Sequence, residues 1–176
     1  MAIEGEMSGL PWPAQAAGLD WDAVYAETLP RVYNFFRYRF GNDAVAEDLT
    51  SRTFEKAWVY RARYRRDLAG FATWLLTIAR NVAVDHLRAQ RPQLPLEAAD
   101  HVAAPGTPHD DYARAADVER LKRLLEDLPA REQELVALKY GAEATNRAIA
   151  ELTGLSETNV GTILHRVVQQ LRREWQ

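Results

Sequence analysis

The sequence contains no cysteine, which excludes a disulfide framework, a thiol nucleophile and a zinc–thiolate site. Its first residues lack the basic cluster and the apolar run of a signal peptide. The longest uncharged apolar run, residues 68–79, is too short to span a bilayer. These absences predict a cytoplasmic protein with no membrane insertion.

Sequence signatures of enzymes are lacking as well. There is no GxSxG nucleophile elbow, no glycine-rich phosphate loop and no HExxH motif. The four histidines share no metal-ligand spacing; they are His86, His101, His109 and His165. We therefore expect a protein that is not an enzyme and that has neither a metal nor a cofactor.

The net charge of −3 conceals an uneven distribution along the chain. Residues 31–91 contain twelve basic and six acidic residues, a net charge of +6. Residues 1–30 and 92–119 each carry a net charge of −5, and residues 120–176 carry +1. A basic block between acidic ones is typical of a polyanion-binding domain with flanking segments that do not bind polyanions.

Helical periodicity runs through both halves of the chain, and no stretch alternates with the period of a β-strand. Residues 91–111 are acidic and rich in proline, which is typical of a linker. The fold class is therefore predicted to be all-α, with two small helical domains joined by this linker. The domains are expected at residues 20–90 and 112–176, after an extension over residues 1–19 that we expect to be disordered.

The pattern of apolar residues and caps predicts individual helices. In the first half the expected helices cover residues 21–40, with a bend at Pro30, 43–64 and 71–88, with a polar loop over 65–70. In the second half they cover residues 115–128, 130–141, 146–153 and 157–175. Thr145 and Ser156 are the expected N-caps of the last two.

The last two helices have the layout of a helix-turn-helix, because a short helix, the turn TGLS and a longer helix follow one another. The face of the longer helix opposite its apolar stripe carries groups that can form hydrogen bonds to base edges. An ordinary helical hairpin with a solvated face would show the same periodicity, so this pattern leaves both structures open. The candidate DNA-binding residues here are Arg147, Ser156, Thr158, Asn159, Gly161, Thr162, His165 and Arg166.

A second candidate nucleic-acid segment, residues 60–81, interleaves aromatic residues with arginines. Aromatic rings offer faces on which unpaired bases stack, and arginines follow the phosphate backbone. Core packing is the alternative role for the aromatic residues, above all for Trp74. The candidate residues of this segment and the helix after it are Tyr64, Arg65, Arg66, Phe71, Trp74, Arg80, Asn81 and Arg88.

Three motifs in series resemble the RNA polymerase sigma factors of the extracytoplasmic-function group. They are AEDLTSRTFEKAW, FATWLLTIARNVAVDHLR and the stretch from LEDLPAREQELVALKYG to IAELTGLSETNVGTILHRVVQQLR, within about residues 24–91 and 116–173. The resemblance implies a promoter-directing subunit whose first domain docks on core polymerase and opens the −10 element. Its second domain would read the −35 element.

The resemblance also assigns roles to residues. The loop over residues 64–70 would capture a flipped base, with Phe71, Asn81 and Arg88 on the helix beneath it. The linker would thread through the polymerase toward the RNA exit channel. The residues implied to bind core polymerase are Asp43, Glu47, Asp48, Arg52, Glu55 and Trp58. The partners implied are core RNA polymerase and promoter DNA, and an anti-sigma factor is left open.

Two positions depart from the pattern of that family. Arg52 stands where the family usually has an acid or a glutamine, and it can pair with Asp48 four residues earlier. Gly161 stands where the family tends to carry a basic residue. The departures keep two alternatives open: a helix-turn-helix regulator that does not activate polymerase, and an adaptor that binds only proteins.

Overall fold

The computed structural model describes residues 20–90 and 110–175, and every regular element within them is helical. The predicted all-α class is confirmed. The expected extension (1–19) and most of the expected linker (91–109) lie outside the described residues. The α-helices are α1 (Trp21–Phe40), α2 (Asp43–Tyr60), α3 (Phe71–Gln90), α4 (Asp110–Glu126), α5 (Ala130–Val136), α6 (Asn146–Thr153) and α7 (Glu157–Trp175).

Side-chain caps set the start of several helices. The Asn42 side chain accepts a hydrogen bond from Val45 N at 3.0 Å, which caps α2. Thr145 Oγ1 accepts one from Ala148 N at 3.1 Å at the start of α6, and Ser156 Oγ accepts one from Asn159 N at 3.2 Å at the start of α7. The expected caps of α6 and α7 are confirmed. Pro30 lies inside α1, which continues on both sides of it.

Two predicted helices differ from the structure. The helix expected to reach Tyr64 ends at Tyr60 and is followed by a 3-10 turn, Arg61–Arg63, because Tyr64 turns inward and is buried. The helix expected over 130–141 is α-helical only to Val136. Its last five residues, Ala137–Gly141, form a π-helical segment in which Ala142 N donates to Ala137 O at 2.9 Å.

A single buried apolar cluster runs through both halves of the chain. It joins Phe35 and Phe36 of α1 to Leu135 of α5, Leu138 of the π-helical segment and Val160 of α7. The two predicted domains are therefore packed on each other in this structure. The sequence carried no expectation of this contact.

Gly141 allows the two halves to approach each other closely. A Cβ at this position would lie 2.6 Å from the carbonyl oxygen of Asn34 and 3.0 Å from the amide nitrogen of Phe35. Both are backbone atoms of α1, so neither can move away without moving the helix. The π-helical segment can pack this tightly on α1 only because residue 141 has no side chain.

Three arginines of the first half make polar contacts with the second half. Arg31 Nε donates to Ala142 O at 2.8 Å, and Arg39 donates to the carbonyl of Ala130. Burial lowers the pKa of Arg39 from its usual value. Arg80 Nε lies 2.9 Å from the Glu134 carboxylate, with side chains only 22% and 14% exposed, and it also donates to Leu152 O. These contacts hold α1 and α3 against α5 and α6.

Over the described ranges, no helix has the length and apolar character that crossing a membrane requires.

Candidate nucleic-acid and polymerase interfaces

The loop between α2 and α3 is anchored by a cluster of aromatic rings. Tyr64 is 3% exposed, and its ring centre lies 5.4 Å from that of Phe71 and 5.2 Å from that of Trp74. Phe71 and Trp74, one turn apart on α3, are 5.3 Å from each other. The structure therefore brings together the three aromatic residues of the predicted −10 set. Burial raises the pKa of Tyr64, so its hydroxyl stays protonated near neutral pH.

Two tryptophans enlarge this cluster. The Trp21 ring, in the first turn of α1, lies 5.5 Å from that of Phe71 and 5.7 Å from that of Trp58, both edge to face. The Arg61 guanidinium lies 4.1 Å from the centre of the Trp58 ring. Trp58, implied to bind polymerase, therefore also borders the predicted −10 residues. Sequence reasoning missed Trp21, because nothing in the local pattern connects it with a residue fifty positions later.

The loop itself, residues 65–70, is exposed and carries charges. Arg65 and Asp67 pair through two contacts, at 2.6 and 3.2 Å. This pairing lowers the pKa of Asp67 and raises that of Arg65. Arg66 is exposed beside them. The loop thus presents two cations at the edge of the aromatic cluster, and one of them is already paired within the loop.

The remaining predicted −10 residues lie further along α3. Asn81 and Arg88 are exposed, about 15 and about 25 Å along the helix axis from Phe71. Arg80 instead faces the second half of the chain and contacts Glu134 and Leu152. The structure consequently separates the predicted set into the aromatic cluster with its loop, an exposed stripe on α3, and one arginine engaged elsewhere.

The candidate polymerase-binding face lies along α2 and is mainly acidic. Glu47 and Glu55 are exposed, and Asp43 pairs with Arg37 at 2.8 Å. The expected pair between Arg52 and Asp48 is confirmed at 3.0 Å, with both side chains more than half exposed. An open groove of about 450 Å³ runs beside this face. It is lined by Tyr25, Leu29, Pro30, Tyr33, Glu47, Thr50 and Ser51.

The helix-turn-helix is formed by α6 and α7. Gly154 closes α6 at φ 72°, a left-handed conformation that glycine adopts without strain. Thr158, Asn159, Thr162 and His165 all lie exposed on α7. Arg147 of α6 is 82% exposed and pairs loosely with Glu151. Arg166 is exposed and pairs with Glu132 of α5.

Gly161 faces α6 rather than standing fully in solvent. A Cβ there would meet the side-chain nitrogen of Asn146 at 3.5 Å, which is an ordinary van der Waals distance. The residue borders an open cavity of about 300 Å³ together with Lys139, His165 and Arg172. Internal packing therefore does not require glycine at this position.

Comparison with known proteins gave consistent results. The family models described as Sigma-70 region 2 and Sigma-70, region 4 match residues 24–93 and 118–171. The RNA polymerase sigma factor CarQ of Myxococcus xanthus is 30% identical over 152 residues, covering 86% of this chain and 87% of CarQ. The ECF RNA polymerase sigma factor BldN of Streptomyces coelicolor is 30% identical over 164 residues, covering 91% of this chain but 62% of BldN.

The fold is also similar to a solved structure. The sigma factor RpoE of Bartonella quintana, in complex with the anti-sigma factor NepR, superposes with a TM-score of 0.68. The two chains are 22% identical, and the match covers 88% of this chain and 95% of RpoE.

Proposed function

The chain belongs to the RNA polymerase sigma factors of the extracytoplasmic-function group, and we propose that each surface described above performs one step of promoter-directed initiation. Its relatives are sigma factors, a class of initiation subunits that are not enzymes. As an alternative sigma factor the chain directs transcription initiation. We place its action in the cytoplasm, where polymerase and chromosome meet.

Capture of a flipped −10 base is the step we assign to the loop over 65–70 and the aromatic cluster beneath it. Extruding a base costs a few kcal/mol of stacking, which the receiving site has to offset by stacking and hydrogen bonds. Phe71 and Trp74, held in place by the buried Tyr64, form a preassembled aromatic surface, with Arg65 and Arg66 beside it for phosphates. This clustering is the observation that carries the proposal. Asn81 and Arg88, further along α3, would follow the strand away from the pocket.

The exposed face of α7 would read the −35 element. Thr158, Asn159 and Thr162 occupy its first turns, where a recognition helix contacts base edges. His165 and Arg166 lie one turn later and would extend the contact toward a phosphate. Ser156 caps the helix, so its role is to fix the start of α7. Arg147, which is exposed on α6, would contact the DNA backbone.

Core polymerase would dock on α2. The exposed carboxylates of Glu47, Asp48 and Glu55 favour a basic partner surface. The groove beside them offers apolar side chains, of which Tyr25 and Leu29 are two, for a partner's apolar residue. An anti-sigma factor is a further class of partner that we propose for this chain.

Simultaneous reading of both promoter elements requires the two halves to separate. Elements centred at −10 and −35 lie about 25 base pairs apart, or about 85 Å at about 3.4 Å per base pair. In the structure the two halves are packed together, an arrangement that we call closed. Arg80 of α3 then donates a hydrogen bond to the backbone carbonyl of Leu152 in α6. We therefore propose that the halves move apart on polymerase, and that Arg80 becomes available to the −10 strand only then.

Transcription with purified core polymerase from a promoter library tests the whole assignment. Initiation from a subset of promoters that share both elements is the expected result. The free chain should bind duplex DNA weakly, because its second half is nearly neutral and polymerase supplies further phosphate contacts in the holoenzyme. Tight, sequence-specific duplex binding without polymerase, and no transcription with it, would identify a regulator instead.

A further inference from the structure

We propose that Trp21 is a positioning residue of the −10 base pocket, a role that rests on the proposed function of the loop after α2. Trp21 precedes the segment that matches Sigma-70 region 2, which begins at residue 24. It nevertheless contacts Phe71, the first residue of α3, and Trp58, which lies in the last turn of α2. An aromatic residue outside the matched domain thus takes part in the proposed site.

The position of Trp21 is fixed by the start of its own helix. Asp20 caps α1, since its side-chain oxygen accepts hydrogen bonds from Asp22 N and Ala23 N, both at 3.1 Å. Trp21 lies between the cap and these two donors. Its backbone is therefore held in the first turn of the helix, and its ring is directed from a rigid element rather than from a loop.

Trp21 links the two ends of the segment that has to receive the base. Residues 61–70 leave α2 after Tyr60 and enter α3 at Phe71, so the distance between these helix ends sets the shape of the loop. The Trp21 ring contacts the rings of both Trp58 and Phe71, with ring centres 5.7 and 5.5 Å away. Edge-to-face ring pairs have a preferred geometry, so this contact limits how far the two ends can shift.

Rigidity of the pocket affects discrimination between bases more than it affects the stability of the fold. Discrimination depends on edge hydrogen bonds, which weaken steeply when donors and acceptors are misaligned. Phe71 contacts three rings, those of Trp21, Tyr64 and Trp74, and only Trp21 belongs to α1. Loss of Trp21 would leave the other two contacts in place while allowing Phe71 and the loop to shift. A purely stabilising Trp21 would instead change stability and leave base choice as it is.

The test uses holoenzyme assembled from core polymerase and the full chain. Promoters with each of the four bases at the flipped position are compared by open-complex formation, followed with a fluorescent base analogue in the −10 element. Trp21→Ala is expected to reduce opening of duplex promoter about 10-fold and to reduce the preference for the best base about 10-fold, with assembly unchanged. A premelted template should restore the rate of opening but not the base preference.

Two further variants distinguish the effect of the aromatic ring of Trp21 from the effect of its apolar volume. Trp21→Phe should keep most of the preference, because it retains a ring, whereas Trp21→Leu should lose it while retaining apolar volume. Trp175→Ala removes a tryptophan from the far end of α7, where the ring contacts Arg120, and serves as the control. Base preference that stays unchanged in both Trp21→Ala and Trp21→Leu overturns the inference, whatever happens to thermal stability.

Phe71→Ala distinguishes this inference from the proposed pocket. If Phe71→Ala abolishes base preference and Trp21→Ala does not, the pocket stands and the role of Trp21 is wrong. If neither variant changes base preference, the assignment of the pocket is wrong, and the inference about Trp21 fails with it.

Discussion

At the scale of single residues, Gly161 offers a test of how α7 meets DNA. Glycine inside a helix costs about 1 kcal/mol relative to alanine, and a Cβ fits at this position. Gly161→Ala should therefore raise the free energy of unfolding by about 1 kcal/mol, measured by urea denaturation. Gly161→Arg adds a charge as well. If its side chain reaches a phosphate, the salt dependence of holoenzyme binding should steepen by about one unit of slope.

Sequence preference at the −35 element distinguishes two reasons for this glycine. If glycine lets α7 approach the groove closely, Gly161→Arg should lose preference even where nonspecific affinity rises. Gly161→Ala, which adds a methyl group without charge, is the matched control. Tighter binding with unaltered −35 preference in the arginine variant would show that close approach is not the reason.

Arg52 is the other residue that departs from the family pattern. It pairs with Asp48 on the exposed face of α2, a pair worth a few tenths of a kcal/mol to the helix. Arg52→Glu should tighten binding to core polymerase by about 1 kcal/mol, because it removes a cation from the mainly acidic face of α2 that we propose for docking. Arg123→Glu on α4 makes the same charge change elsewhere and should have no such effect. Equal or weaker affinity for Arg52→Glu, in a binding titration, would mean that polymerase offers Arg52 an acidic partner.

At the scale of an element, the loop over 65–70 carries an internal ion pair that would compete with DNA for Arg65. Asp67 holds Arg65 at 2.6 Å, so Asp67→Asn should release Arg65 toward a phosphate. The expected result is a steeper salt dependence of open-complex formation, by about one unit of slope. If Asp67 itself accepts a hydrogen bond from a base, the same variant would lose preference at one −10 position instead.

The pH dependence of this pair follows from the pKa of Asp67. Arg65 lowers that pKa from the usual 3.8, so the pair is intact above pH 3.8 and is lost only as pH falls through the lowered value. Between pH 6 and 8 both partners stay charged. Any contribution of the pair to promoter opening should therefore be insensitive to pH over that range, while remaining sensitive to salt.

Local signals explain which elements could be predicted from the sequence. Thr145, Ser156 and Gly154 mark helix ends through caps that involve only near neighbours, and the helix-turn-helix was predicted from them. The apolar pattern predicts a helix that reaches Tyr64. Its burial against Phe71 and Trp74, which ends the helix early, depends on α3. The π-helical segment likewise depends on α1, and the place of Trp21 in the aromatic cluster depends on the tertiary fold.

At the scale of the whole molecule, Gly141 controls how closely the two halves pack. A Cβ here would lie 2.6 Å from a backbone oxygen of α1. Gly141→Ala should therefore force the halves apart, with a larger radius of gyration in small-angle scattering. Gly70→Ala is the matched control for shape, because a Cβ there meets nothing within 4 Å. An unchanged radius of gyration in Gly141→Ala would show that α1 and the π-helical segment can adjust without separating.

Arg80 offers a test of the proposed link between the packing of the two halves and promoter opening. Glu134→Gln and Arg80→Ala both remove the largely buried ion pair, so both should favour the open arrangement. Only Arg80→Ala also removes the cation proposed to meet the −10 strand. Promoter opening at saturating holoenzyme should fall in Arg80→Ala and be maintained in Glu134→Gln. Equal promoter opening by the two variants would show that Arg80 does not contact the −10 strand.

The buried cluster shared by the two halves has a consequence for competition among sigma factors. Separating the halves exposes part of that cluster, at a cost of about 25 cal/mol for each Å² of apolar surface. The apparent affinity for polymerase is then the affinity of the open form multiplied by the fraction of molecules that are open. If about 1% of the molecules are open, about a hundredfold higher concentration of the chain is needed to bind the same fraction of polymerase as a chain that is always open. If the halves separate on polymerase as proposed, packing strength between them sets the threshold concentration at which this sigma factor acts.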